Sequence, residues 1–85
     1  MSEITRDEAR KRAVNALTEL AHANGLGALM IVDEAIVETP TAWYFPYDAA
    51  AFVLQGEVSA ALTGNLAVKV LRDGAAVTFE KIPRS

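Results

Sequence analysis

The chain has 85 residues, eight Lys or Arg against eleven Asp or Glu for a net charge of −3, one histidine and no cysteine. That length holds one domain spanning 1–85, and the missing cysteines exclude disulfide staples, thiolate catalysis and cysteine-ligated metal while fitting a reducing cytoplasm. No apolar run approaches the roughly 18 residues of a membrane span, the charged N-terminus does not read as a signal peptide, and the acidic balance argues against nucleic acid.

The first element is a helix over about 5–24. Thr5-Arg6-Asp7-Glu8 has the form of a capping box, with the Thr5 hydroxyl taking the Glu8 amide and the Glu8 carboxylate turning back to Thr5. Two acids in the first turn also suit the positive end of the helix dipole. Ala9, Ala13, Ala16, Leu17 and Leu20 recur at helical spacing and predict a narrow, alanine-rich buried stripe. Asn24-Gly25 supplies a left-handed stop.

From residue 28 the period shortens. Residues 28–39 are dense in Leu, Ile and Val and predict one long strand bent or bulged at Asp33-Glu34, or two short ones. A turn at Thr39-Pro40-Thr41 leads to a strand over 42–48. Its alternation puts Trp43, Phe45 and Tyr47 on one face and Tyr44 and Pro46 on the other. Pro46 lacks a ladder donor, which predicts that this strand lies at an edge or ends there. Residues 49–65 stay open between strand, helix and loop, with a helical turn compatible with 57–62 and a turn at Gly64-Asn65. Strands follow over 66–71 and 75–81, joined by Asp73-Gly74, a pair whose two central residues would both take positive φ in a tight hairpin. Pro83 ends the last strand. The expected architecture is α+β: one N-terminal helix packed on a curved antiparallel sheet of about four strands.

Chemistry is sparse. His22, the single histidine, sits near the helix C-terminus and has no second histidine or cysteine to share a metal with, so the reading is a solvent-facing side chain near the last carbonyls. Glu34 and Glu38 fall roughly 13 Å apart along a strand, too far for a paired-carboxylate mechanism. With Asp33 they are read as solvated edge charges or as an acidic patch for a basic partner. Arg10-Lys11-Arg12 fan out around the helix and form no single patch. Gly25-Leu26-Gly27 follows a helix, the reverse of a phosphate loop. No catalytic residue, cofactor site or metal site is expected.

Trp43-Tyr44-Phe45-Pro46-Tyr47 holds the only tryptophan and both tyrosines. Trp43 and Phe45 are expected to fill the core, leaving Tyr44 facing outward as a protein-contact anchor. An open sheet face or edge is also where two copies of a small domain pair, so a homodimer is among the expected states. The candidate partner-binding residues are Tyr44, Tyr47, Asp48, Asp33, Glu34 and Glu38.

The helix, the Trp43-Tyr44-Phe45 strand, Leu62-Thr63-Gly64-Asn65 and the Asp73-Gly74 hairpin together resemble the YrhB / immunity protein 35 family. The resemblance implies a small bacterial cytoplasmic α+β protein that binds another protein. It further implies an immunity role in a polymorphic toxin system or a chaperone-like activity, with Trp43, Phe45, Gly64 and Asn65 as scaffold positions. The expected partner is a protein, a toxin or a pathway enzyme. The alternatives are a chaperone-like or accessory subunit, and a small-ligand binder using a helix–sheet cleft.

Overall fold

The computed structural model describes residues 3–56 and 66–82. Helix α1 (Arg6–Ala23) is capped by Thr5, whose hydroxyl accepts the Glu8 amide at 3.1 Å. The Glu8 carboxylate does not turn back to close the capping box. It accepts Arg12 Nε at 3.1 Å, and Arg12 Nη1 donates to the Gly74 carbonyl at 2.9 Å. The start of the helix is thereby tied to a hairpin far along the chain. At the other end Gly25 takes φ 64°, the Leu26 amide reaches the Ala21 carbonyl at 2.9 Å and the Gly25 amide the His22 carbonyl at 3.4 Å. These are the two bonds of a Schellman cap, so the glycine stops the helix as its position predicts.

The chain returns as β1 (Leu29–Ile31), a 3₁₀ turn (Asp33–Ala35) and β2 (Val37–Glu38). The apolar stretch over 28–39 is therefore two short strands broken at the acids. Then come β3 (Ala42–Ala49), α2 (Ala50–Gln55), β4 (Leu66–Leu71) and β5 (Val77–Lys81). Of the stretch left open, Ala49 closes β3 and the next six residues are helical. The expected helical turn over 57–62, the Gly64-Asn65 turn and Pro83 lie outside the described residues.

The fold is α+β, one N-terminal helix followed by an open antiparallel sheet of five strands. The order is β1-β3-β4-β5, with β2 also beside β3. Strands β1 and β2 share one side of β3, with Ile31 opposite Tyr47 and Glu38 opposite Trp43. The placement of the proline strand at an edge is thus overturned: β3 is central, and it continues past Pro46. The Pro46 carbonyl accepts the Val32 amide at 2.9 Å. Within a strand a residue's N–H and C=O point the same way, so the missing donor faces the point where β1 gives way to the 3₁₀ turn. The ladder to β4, where Pro46 stands opposite Ala67, loses nothing.

One sheet face and the helix stripe make the main core. Ala9, Ala13 and Leu17 of α1 meet Ile31, Trp43, Phe45, Val68 and Val70, and Phe45, Val68 and Val70 are fully buried. Alanine at the contact lets the helix backbone lie close to these larger side chains. On the opposite face Ala42, Tyr44 and Ala67 form a second cluster with Val37, Leu71 and Ile82. Strand β5 is exposed along its length, including Val77 and Phe79 at 36% and 37%, although both lie on the core face opposite Val70 and Val68.

The β4–β5 hairpin is wider than Asp73-Gly74 predicts. The Leu71 amide bonds the Ala76 carbonyl at 3.1 Å, leaving residues 72–75 in the loop, and Gly74 alone takes positive φ, 77°. Asp73 instead accepts the Ala75 amide on Oδ1 at 2.8 Å, so its side chain and not a left-handed backbone shapes the turn. That moves the start of the last strand from 75 to 77. A Cβ on Gly74 would stand 3.0 Å from Arg12 Nη1 and 3.1 Å from Ile4 Cγ2. Gly74→Ala is expected to cost about 1–2 kcal/mol in urea unfolding from the left-handed backbone alone. Gly27→Ala, which meets open space, is expected to change stability by less than about 0.5 kcal/mol.

Candidate partner-binding surfaces

The six residues expected to bind a partner do not share one surface. Asp33 is held by Arg10 in a two-pronged pair, Nε to Oδ1 at 2.9 Å and Nη2 to Oδ2 at 3.0 Å. The Arg10 hydrogen bonds hold the Asp33 carboxyl below the usual carboxylate range. Glu38 is engaged three ways: Trp43 Nε1 donates to its Oε1 at 3.3 Å, Arg72 Nη2 lies 3.5 Å from the same oxygen, and Arg6 lies 4.0 Å from the other. Arg72 also stacks on the Trp43 ring, 4.4 Å from its centroid, and donates Nε to the Thr39 carbonyl at 2.8 Å. Two of the three acids therefore carry their counter-ions within the chain. Glu34 is exposed on the 3₁₀ turn and has no ion pair among the described residues.

Tyr44 does lie on the face opposite Trp43, as alternation predicts, but only 8% of it is exposed. The Lys69 ammonium stands 5.7 Å from its ring centroid and reaches Glu80 at 3.5 Å, so the phenol lies beneath a cation held by the next strand. Asp48 shares that face and accepts the Ala49 amide at 2.8 Å. Tyr47 is on the core face, edge-on to Phe79 with centroids 6.1 Å apart, and burial pushes its phenol pKa up.

Two other features face outward. The first is a shallow, open groove of about 350 Å³ between the end of α1 and the segment entering β1, lined by Leu17, Thr18, Ala21, His22 and residues 26–29. Leu26 on its wall is 41% exposed, and Val14, one turn earlier on the same side of α1, is 40% exposed. His22 lies at this groove, exposed as the sequence predicts. The second is the β5 side of the sheet, where Val77, Phe79 and Leu66 stand more than a third exposed. Neither was apparent in the sequence. The groove had a trace there: a leucine between two glycines just past a helix stop is held where it cannot retreat into the core.

A family model described as Immunity protein 35 matches residues 7–83, from the first turn of α1 past the last strand. The chain belongs to the immunity protein 35 family. Curated proteins and solved structures gave no significant match. Immunity proteins in general act by binding a protein and not by catalysis, so membership points to a protein-binding role. Among the described residues no helix is long and apolar enough to cross a membrane.

The Arg10–Asp33 pair is about half exposed, so solvent screens it and its worth is below about 1 kcal/mol. Because the folded Asp33 pKa lies below its ordinary value of 3.8, the pair stabilises the fold above that range and the contribution is lost as pH falls through the lowered value. Asp33→Asn is expected to be slightly less stable than wild type at neutral pH and to match it at strongly acid pH. Urea midpoints measured across that range check this.

Proposed function

We propose that the chain is an immunity protein that works in the bacterial cytoplasm by binding and blocking a protein toxin of a polymorphic toxin system. The observation that carries the reading is the family match over nearly the whole chain. Of the surfaces on offer, the groove beside Leu26 suits a partner best. It is concave, it presents exposed apolar atoms, and interface energy concentrates where an anchoring side chain fills such a hollow. The acids read as a patch for a basic toxin contribute less, since Asp33 and Glu38 are already neutralised by Arg10, Arg6 and Arg72. Glu34 at the 3₁₀ turn remains available to steer a basic partner.

The test is co-expression with the products of the genes neighbouring this one, any toxin domain among them included, followed by affinity measurement on the purified pair. Growth is expected to be restored and a one-to-one complex recovered, with affinity only weakly dependent on salt. Leu26→Arg is expected to weaken the complex about thirtyfold, the effect of losing about 2 kcal/mol at an anchor, with an unchanged melting temperature. Failure to protect, or recovery of a biosynthetic enzyme or of many unrelated clients in place of the toxin, would refute the immunity reading.

A further inference from the structure

The two sides of the sheet are built differently. On one, β1 and β2 are three and two residues long and separated by a 3₁₀ turn that Arg10 holds at Asp33. Short, broken strands and charges discourage edge-to-edge pairing. On the other, β5 runs five residues without a bulge or proline, and among the described residues no strand pairs with its outer side.

The hydrogen-bond parity of that edge follows from the hairpin. The Leu71 amide bonds the Ala76 carbonyl, and the register is Val70 to Val77 and Lys69 to Thr78. Antiparallel ladders alternate, so Ala76, Thr78 and Glu80 point their backbone groups at β4. Val77, Phe79 and Lys81 point theirs away from the sheet. These outward residues also carry their side chains on the core face, where Val77 and Phe79 are over a third exposed.

We propose that the β5 edge pairs antiparallel with β5 of a second copy of this chain, about a two-fold axis at Phe79. In that register Phe79 meets its own mate, Val77 meets Lys81, and all three outward residues exchange both backbone bonds, six in total by the ladder rule. Thr78 faces Glu80 on the other side of the sheet. The two charged residues of the strand land opposite neutral ones, and the paired phenylalanines close over the apolar surface that α1 leaves exposed. The neighbouring registers are poorer: an axis at Glu80 opposes two carboxylates, and an axis at Thr78 runs Lys81 into the partner's 72–75 loop and leaves four backbone bonds in place of six. The joined sheet leaves the groove at Leu26 free in both copies, because β1 and β5 are at opposite ends of the strand order. This inference does not depend on the toxin reading.

Sedimentation of the purified chain over a dilution series is expected to show a reversible species of twice the 9.1 kDa chain mass. The chain has no cysteine, so a single Phe79→Cys reports the register. Residues in a hydrogen-bonded pair sit about 5.5 Å apart at Cα, inside the disulfide range of about 4.4–6.8 Å. Phe79→Cys is expected to link into dimers on mild oxidation, and Thr78→Cys, which faces Glu80, to stay unlinked. Val77→Pro removes an outward donor while leaving the β4 ladder intact, and is expected to weaken dimerisation at least tenfold without loss of folded signal by circular dichroism. A chain that sediments at 9.1 kDa at every concentration, equal linking of the two cysteine variants, or a Val77→Pro dimer of unchanged affinity would each overturn the proposal. A monomer whose β5 edge is occupied only in complex with a toxin would assign the edge to a foreign strand and overturn it as well.

Discussion

One helix faced with alanine has to cover a five-stranded sheet, and the rest of the molecule follows from how far it reaches. Ala9 and Ala13 bring the α1 backbone down onto Trp43, Phe45, Val68 and Val70, and Leu17 fills the remaining space toward Ile31. The close approach seals the middle of the sheet, where those five strand residues are at most 3% exposed. It also keeps the covered width small. Val77 and Phe79 lie on the same face as the core yet stay over a third exposed, and the groove at Leu26 opens where the helix ends before β1 begins. A bulkier helix stripe would ride higher over the sheet and shield more of its edge while packing its centre less well.

Charge is handled locally. Arg10 answers Asp33, Arg12 answers Glu8 and the Gly74 carbonyl, Lys69 answers Glu80, and Arg72 bridges Glu38, Trp43 and Thr39. Several of these contacts tie α1 or the loop after β4 to residues far away in the sequence, so they fix the orientation of elements more than they add stability, given how exposed most of the pairs are. The consequence for recognition is that Asp33 and Glu38 are answered within the chain, while exposed Glu34, Asp7 and Glu19 have no ion pair among the described residues.

What could be read from the chain was what local physics decides. Thr5 and Asn24-Gly25 mark the helix ends because each cap acts within a few positions of the end it closes, a side-chain oxygen at the start and a left-handed residue just past the finish. The alternation of Trp43, Tyr44 and Phe45 assigns faces because strand geometry permits nothing else. The misreadings came from distant partners. Pro46 looked like an edge because its donor is missing, yet the neighbouring strand breaks where that donor would have been needed. Tyr44 looked exposed because its face was right, and it is buried by Val37, Leu71 and Ile82 from elsewhere in the chain. Asp33 and Glu38 looked like a free patch because Arg10 and Arg72 are far away in sequence. The groove and the β5 edge depend on where one helix stops over the sheet, which no local pattern records.

Amide hydrogen exchange of the pure protein measures directly whether the open β5 edge is met by another chain. Thr78 and Glu80 amides face β4 and should be protected at any concentration. Val77, Phe79 and Lys81 amides should be protected in concentrated solution and lose that protection on dilution. Fast exchange at these three positions irrespective of concentration would contradict the account.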